Sequence, residues 1–156
     1  MTAQVLALPH TYMIFKLGSH EYGFEARFLW ETAVLASFIE VPRNEKHLIG
    51  VIQLHGKIIP VLDLARLLGI SRTFSAGGLI TVNLPDISDL LAGFVVDLVV
   101  GFAKFPALEI QSLENGPEIR DIPFIKGWAG EGKQIRLLDM EKLIRDQVAD
   151  DPGAAG

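Results

Sequence analysis

Few side chains in this sequence of 156 residues could do chemistry. It contains no cysteine, which excludes disulfides, zinc ribbons and a cysteine nucleophile. The histidines show neither the i, i+4 spacing of a helical metal pair nor carboxylates in a ligand pattern, so we interpret them as turn or arm residues. They are His10, His20, His47 and His55. The sequence therefore predicts no metal site and no cofactor.

Two aspartates in similar contexts, Asp63 and Asp139, come nearest to a catalytic carboxylate pair. Each follows a β-like run and precedes a helical one, where a carboxylate accepts hydrogen bonds from free backbone N–H groups. We therefore predict that both are helix N-caps, and that Asp97 is a hydrogen-bonding group at a strand end. Nucleotide-binding loops and nucleophile elbows are absent, and nothing in the sequence supports an enzyme.

The composition is that of an apolar and mildly acidic chain. Hydrophobic residues make up 49% and charged residues 21%, and the net charge of −5 falls within residues 71–156. No basic stripe is interleaved with aromatic residues, which argues against nucleic acid and anionic membranes as partners. No apolar run is long enough for a membrane span, and the N-terminus lacks signal-peptide features. We predict a cytoplasmic protein whose apolar surplus forms protein-binding patches.

Short β-like runs bounded by glycine, proline and polar turns must position these residues. Helical patterns follow two of the runs, directly after Asp63 and Asp139. The predicted strands are 12–17, 22–25, 28–40, 48–54, 57–62, 79–84, 92–96, 124–129 and 133–138, and the predicted helices are 64–68 and 140–148.

The second half of the chain repeats the first. Gly56–Leu64 matches Gly132–Met140 at a constant offset, with Gly, Lys, Ile and Asp at the same places. A period of about half the chain indicates two copies of one supersecondary unit rather than a solenoid. We predict a mainly β fold of two small barrels of about five strands each, packed on each other. A single β-sandwich is the structural alternative.

Phe28-Leu29-Trp30 places three large apolar side chains in a row, so a strand must point at least one of them outward. Either two packed barrels cover the strand on both faces, or the segment anchors another protein. The polar hairpin tip Gln53–Lys57 is an ordinary turn when taken alone. Beside a groove, its donors could orient a partner helix.

The segment Gly50–Leu64, G-V-I-Q-L-H-G-K-I-I-P-V-L-D-L, resembles the signature of CheW-like domains, which is roughly G-V-x-N-L-R-G-x-I-x-P-V-x-D-L. Three further segments are similar to the family's other motifs. They are Phe15–Phe24, Gly93–Val99 and Phe124–Asp139. The resemblance covers about residues 10–148, with the motifs in order.

This resemblance implies one domain over residues 10–148, built from two five-stranded SH3-like barrels on a shared core. Its predicted parts are subdomains at about 12–70 and 78–140, short helices after each barrel's last strand, a closing helix at 140–148, an N-terminal arm at 1–9 and a flexible tail at 149–156.

The resemblance also implies a non-catalytic adaptor that couples a chemoreceptor's cytoplasmic tip to the regulatory domain of a CheA-like histidine kinase in membrane receptor arrays. In that family the groove between the barrels receives the receptor tip. Carried over to this chain, the receptor-facing positions are Leu29, Glu31, Gly50, Gln53 and His55, and the apolar residues Phe28 and Trp30 complete the partner-binding set. His55 stands where the family has arginine, which is longer and always charged.

Two other functions are compatible with the sequence. The chain could be a CheW-like scaffold in a motility or pilus chemosensory pathway, since sequence chemistry does not separate the two pathways. It could also be a small-ligand-binding sensory barrel or a weak enzyme that uses the groove, which a deep pocket with convergent polar groups would favour.

Overall fold

The computed structural model describes residues 10–34, 39–40, 48–70, 77–84, 90–112, 124–130 and 135–149. These residues form a mainly β fold with short helices, which confirms the predicted fold class. The elements are β1 (Thr11–Leu17), β2 (His20–Glu25), β3 (Leu29–Val34), β4 (Ile39–Glu40), β5 (Leu48–Leu54), β6 (Lys57–Asp63), α1 (Leu64–Leu67), β7 (Gly78–Leu84), β8 (Leu90–Val96), β9 (Leu98–Lys104), β10 (Ile110–Ser112), β11 (Ile125–Ala129), β12 (Ile135–Leu138) and α2 (Met140–Ile144).

The strands form two sheets that do not follow the two halves of the sequence. Sheet A has the order β10-β11-β12-β2-β1-β9, and sheet B has the order β4-β5-β6-β8-β7-β3. Each position in one sheet corresponds to the strand six places away in the chain. Sheet A therefore combines the β1–β2 hairpin of the first repeat with strands β9–β12 of the second. Sheet B combines the β7–β8 hairpin of the second repeat with strands β3–β6 of the first. The predicted boundaries at about 12–70 and 78–140 do not divide the sheets, and each sheet has six strands in the described part of the chain rather than five.

Two parallel strand pairs mark where the repeats exchange hairpins. β6 lies parallel to β8, with Val61 opposite Gly93, and β12 lies parallel to β2, with Leu137 opposite Gly23. Parallel neighbours need a long crossover rather than a tight turn, so each of these strands finds its partner in the other repeat. The exchange makes each sheet depend on both halves of the sequence.

The predicted caps and helix ends are confirmed. The Asp63 carboxylate accepts a hydrogen bond from the backbone N–H of Arg66 at 3.2 Å, and Asp139 accepts one from Lys142 at 3.1 Å. Gly69 follows α1 with a left-handed φ of 70°. The C-terminal helix is regular only through α2, because Arg145–Ala149 continues it as a π-helical turn.

Asp97 lies between β8 and β9 and is buried. Its Oδ2 accepts a hydrogen bond from the backbone N–H of Gly18 at 2.7 Å, which confirms the predicted role at a strand end. The bond joins the end of β8 to the turn between β1 and β2, and so ties one repeat to the other.

The main hydrophobic core lies between the sheets, and a smaller cluster lies on the opposite face of each sheet. Side chains alternate along β1, so Met13 and Phe15 enter the main core while Tyr12 and Ile14 enter the small cluster of sheet A. On sheet B the small cluster, called outer cluster B below, consists of Ile52, Ile59, Val61, Leu79 and Val95, with Trp30, Ala33, Ile49, Leu54 and Leu91 packed against it.

Candidate partner-binding site

Trp30, Glu31 and His55 come together at one edge of sheet B. Nε2 of His55 lies 2.7 Å from Oε2 of Glu31, and the His55 and Trp30 rings meet edge to face with centroids 5.5 Å apart. The side chain of His55 is 62% exposed and that of Glu31 is 34% exposed. The three residues form a small polar and aromatic surface that a partner can reach.

The hairpin turn between β5 and β6 holds His55 in place. His55 has φ 51° and Gly56 has φ 77°, so both loop residues are left-handed. Such a two-residue turn matches the twist of the flanking strands. It directs the imidazole toward β3, whose residues lie 24 positions earlier in the sequence.

A bulge in β3 positions Trp30 and Glu31. Leu29 pairs with Val82 and Glu31 pairs with Thr81, so Trp30 is the extra residue. The buried Thr81 hydroxyl accepts a hydrogen bond from the Glu31 N–H at 3.0 Å and donates one to the Glu31 carbonyl at 2.8 Å. The role of Thr81 was not predictable from the sequence, because it depends on pairing between strands about 50 residues apart.

The other predicted positions are placed differently. Leu29 is half-buried and packs against the main core, and Gln53 is exposed on the face of β5 that points away from outer cluster B. Two positions are corrected. Phe28 lies in a 3₁₀ turn, not in a strand, and is 5% exposed within the main core. Gly50 is buried in β5 between β4 and β6. Both therefore support the surface from inside.

A groove of about 460 Å³ opens where the two sheets meet. The end of β3 forms one wall and the start of β9 forms the other, so the strand that carries Glu31 also leads into the groove. The lining residues are Thr32, Ala33, Val34, Gly77, Gly78, Asp97, Leu98 and Val99.

A side chain larger than hydrogen would make tight contacts on the β7 side of this groove. A Cβ atom at Gly78 would lie 3.0 Å from Cγ2 of Val99, and one at Gly77 would lie 3.2 Å from the carbonyl oxygen of Asp97. The adjacent glycines were the available sequence signal, but glycine pairs are also common in loops.

Chemical machinery is not evident in the described ranges. They contain no group of three residues that could hold a metal ion. They also contain no helix long and apolar enough to cross a bilayer.

In the described part of the chain, Glu25 of sheet A pairs with two cations. Burial raises the pKa of Glu25, but hydrogen bonds and charges from Lys126 and Arg27 outweigh it, so the pKa of that carboxyl is lowered overall. Burial likewise raises the pKa of the Tyr22 hydroxyl, which accepts a hydrogen bond from Arg136 at 3.0 Å. These groups are occupied with partners inside the fold and lie outside the Trp30–Glu31–His55 surface.

Comparison with known proteins gives consistent matches over most of the chain. The family model of the CheW-like domain matches residues 11–148. The chemotaxis protein CheW of Thermotoga maritima is 31% identical over 108 residues, which cover 68% of each chain. Protein FrzA of Myxococcus xanthus is 24% identical over 136 residues, covering 86% of this chain and 84% of that protein.

The fold matches a solved structure as well. The crystal structure of the scaffolding protein TtCheW from Thermoanaerobacter tengcongensis superposes with a TM-score of 0.73 and 27% identity, covering 88% of each chain. Proteins of this family are non-catalytic scaffolds, which confirms the prediction that the chain is not an enzyme. The matched range and the level of identity together show that this chain belongs to the CheW-like domain family.

Proposed function

We propose that this chain is a non-catalytic adaptor that couples the cytoplasmic tip of a chemoreceptor to a CheA-like histidine kinase. CheW-like scaffold proteins interact with chemoreceptors and with the kinase CheA. The observation that carries the proposal for this chain is the continuity of β3, which runs from the Trp30–Glu31–His55 surface into the groove between the sheets.

The groove suits a helical receptor tip. An amphipathic helix binds by laying its apolar side into an apolar groove, with polar contacts at the rim that fix its register. Here Ala33, Leu98 and Val99 supply apolar walls, and Leu98 is 52% exposed. Glu31 and His55 supply polar groups near the other end of β3.

An adaptor must bind the kinase while it holds the receptor, so a second surface is needed. Ile58 is 74% exposed and lies opposite Gln53 on the β5–β6 hairpin. Ile52 and Ile59, their neighbours along the strands, pack into outer cluster B on the other face. The resemblance implies a receptor-facing role for Gln53, but we assign this Gln53–Ile58 face to the kinase regulatory domain instead, because an exposed β-branched residue beside an amide fits a protein contact. Through these contacts the adaptor is recruited to receptor arrays at the membrane.

The receptor contact is tested with Leu98→Glu at the mouth of the groove. A charge in this apolar contact should weaken binding of a receptor cytoplasmic fragment encoded in the same genome by about tenfold or more, as for a central interface residue. Leu108→Glu is the matched control, because Leu108 is 93% exposed and does not line the groove. Binding is measured by calorimetry, and the unfolding midpoint is recorded for each variant.

The two variants separate the possible outcomes. The account expects the kinase regulatory domain to bind both equally, and the receptor fragment to distinguish them. Equal losses in both variants would show that the groove is not the receptor site. If neither partner binds the unmodified chain at tens of micromolar, roughly −6 kcal/mol, the adaptor function is wrong. The identity of the receptor and kinase that bind would also distinguish a swimming-chemotaxis pathway from a motility or pilus pathway.

A further inference from the structure

Strand β9 exposes apolar side chains along one edge of sheet A. Its sequence is L-V-V-G-F-A-K, and Leu98, Val100 and Phe102 are 52%, 49% and 37% exposed. Three of the six large hydrophobic residues that are exposed in the described ranges therefore lie on one strand of seven residues. An apolar row of this density is typical of a contact with another protein.

The backbone of β9 has one side without a strand neighbour. β9 ends sheet A, and β1 is its only neighbour among the described strands. The N–H and C=O groups on the outer side of an edge strand can pair with another extended segment, and charges, proline or a bulge ordinarily prevent this. β9 has a bulge at Val100 and a single charge, Lys104 at its last position.

The equivalent edge of sheet B is protected more strongly. β3 has its bulge at Trp30 and carries Glu31 beside it. Two copies of β3 in an antiparallel pair would bring their Glu31 carboxylates to neighbouring cross-strand positions, where like charges destabilise a sheet. β9 has Gly101 at this place, so no charge there repels a second β9. The difference between the two edges favours a second copy of this chain as the occupant of β9.

The charge of Lys104 selects the orientation of the second copy. In a parallel pair of β9 strands the two Lys104 side chains would lie side by side. In an antiparallel pair centred on Gly101 they are about 20 Å apart along the strand, which exceeds the Debye length of about 8 Å at physiological ionic strength. This pair also places Val100 opposite the partner's Phe102. A twofold axis relates the copies, as in most homo-oligomers.

The size of the contact predicts a weak dimer. A strand of seven residues is about 23 Å long, and the bulge at Val100 shortens the stretch that pairs continuously. The buried area is then smaller than the roughly 1,200 Å² of a specific, stable interface. The dimer is therefore expected to depend on protein concentration.

β9 also forms one wall of the groove between the sheets. Leu98 and Val99 line this wall, and Val34, which is 83% exposed, lines the opposite wall at the end of β3. The outer side of β9 faces away from β1, its neighbour in sheet A. A second strand paired along this side would lie across the mouth of the groove at Leu98.

We propose that β9 pairs in antiparallel fashion with the β9 of a second copy of this chain, and that this pairing covers the mouth of the groove. The second part rests on the proposed function, in which the groove receives the receptor tip. A dimer then keeps the receptor site closed, and receptor binding separates the two copies.

The chain has no cysteine, which allows a direct test of the pairing. Val100→Cys introduces a single thiol near the twofold axis, so a short bifunctional maleimide should join two copies at roughly tens of micromolar. Leu108→Cys is the control, because Leu108 is 93% exposed and lies outside β9. Val100→Cys should give about fivefold more crosslinked dimer, since cross-strand neighbours lie within about 8 Å. Equal yields would overturn the proposal.

A second arm tests the symmetry of the contact. Val100→Glu and Val100→Lys each place two like charges near the axis, so each variant alone should sediment as a monomer. An equal mixture of the two variants combines opposite charges and should restore the dimer, provided that both unfolding midpoints match that of the unmodified chain. Val100 facing a different surface of the second copy, or the kinase regulatory domain, would give no restoration, and that result overturns the pairing of β9 with itself.

A third arm tests the closure of the groove. A saturating amount of the receptor cytoplasmic fragment should reduce the crosslinked dimer of Val100→Cys by about fivefold, the low end of typical coupling between two binding events. An unchanged yield with the fragment bound would overturn the second part of the proposal and leave the pairing standing. If the fragment does not bind, the adaptor function and the second part are both wrong, and the first two arms still decide the pairing.

Discussion

Strands β3 and β9 occupy equivalent edges of sheets B and A, yet only β3 carries a polar surface. Both strands contain a bulge at the same position. Trp30 is the extra residue of β3, and Val100 is the extra residue of β9. The next residue is Glu31 in β3 and Gly101 in β9. The two repeats thus share the bulged backbone and differ in the residue that follows the bulge, which is Glu31 in one and Gly101 in the other.

The two bulges are stabilised by different means. In sheet B the Thr81 hydroxyl bonds both backbone groups of Glu31. In sheet A the residue paired with the bulge is Ile14, which has no hydroxyl, and Gly101 adopts φ 133°, a conformation that favours glycine. Because a hydroxyl supports the backbone, position 31 is free to carry a carboxylate. Its counterpart in β9 is restricted to glycine and has no side chain to offer.

The largest effect is expected at Gly127, where β10 and β11 approach most closely. An added Cβ would overlap the carbonyl oxygen of Gln111, a backbone atom that cannot move alone. Gly127→Ala should lower the free energy of unfolding by about 3 kcal/mol, the upper part of the range for overpacking. Urea denaturation measures this loss.

Gly50 is the equivalent position in sheet B, between β4 and β6. A large loss of stability in Gly50→Ala would extend the equivalence of the two sheets to these outer strands. A change below about 0.5 kcal/mol in Gly127→Ala, as is usual for a surface substitution, would show that β10 does not pack against β11 as described.

The next effect concerns Thr81, which has no hydroxyl counterpart in sheet A. Thr81→Val keeps the shape but leaves the N–H and C=O of Glu31 without their partner, at a cost of about 2 kcal/mol. Thr81→Ser is the control, because it keeps the hydroxyl. The account expects Val, but not Ser, to weaken receptor binding. If both variants bind the receptor fragment like the unmodified chain, Thr81 does not position Glu31.

The smallest effect is expected from the ion pairs of sheet A. Because the pKa of Glu25 is lowered in the folded protein, its ionised form contributes stability that is present at neutral pH and is lost as the pH falls through the folded pKa. Glu25→Gln should therefore cost about 1 kcal/mol or less at pH 7. The difference between the two proteins should shrink as the pH falls through the folded pKa of Glu25. A difference that grows toward low pH would contradict the assigned sign.

Local features of the sequence predicted the local structure. The N-caps at Asp63 and Asp139 follow from one residue and the turn after it, and the match between Gly56–Leu64 and Gly132–Met140 predicted two copies of one unit. The exchange of hairpins was not predictable, because β2 and β8 have similar sequence patterns and either could pair with β6 or with β12. Choosing between partners depends on contacts far apart in the chain.

The site was predictable in part. The signature turn and the family resemblance identified Glu31 and His55, which the structure brings to 2.7 Å of each other. Phe28 was assigned to the surface because three apolar residues in a row violate strand alternation. The 3₁₀ turn at Ala26–Phe28 removes that conflict by sending Phe28 into the core.

We propose that receptor binding takes place at the edge of sheet B that presents Glu31. It is tested most directly by the affinity of the receptor fragment for Glu31→Gln and for Glu109→Gln at pH 8. Both changes remove one negative charge without changing shape, and Glu109 is half-buried beside sheet A, away from β3. The account predicts a loss of about tenfold or more for Glu31→Gln, as for a hydrogen bond to a charged group, and an unchanged affinity for Glu109→Gln. Equal affinities for Glu31→Gln and the unmodified chain would contradict it.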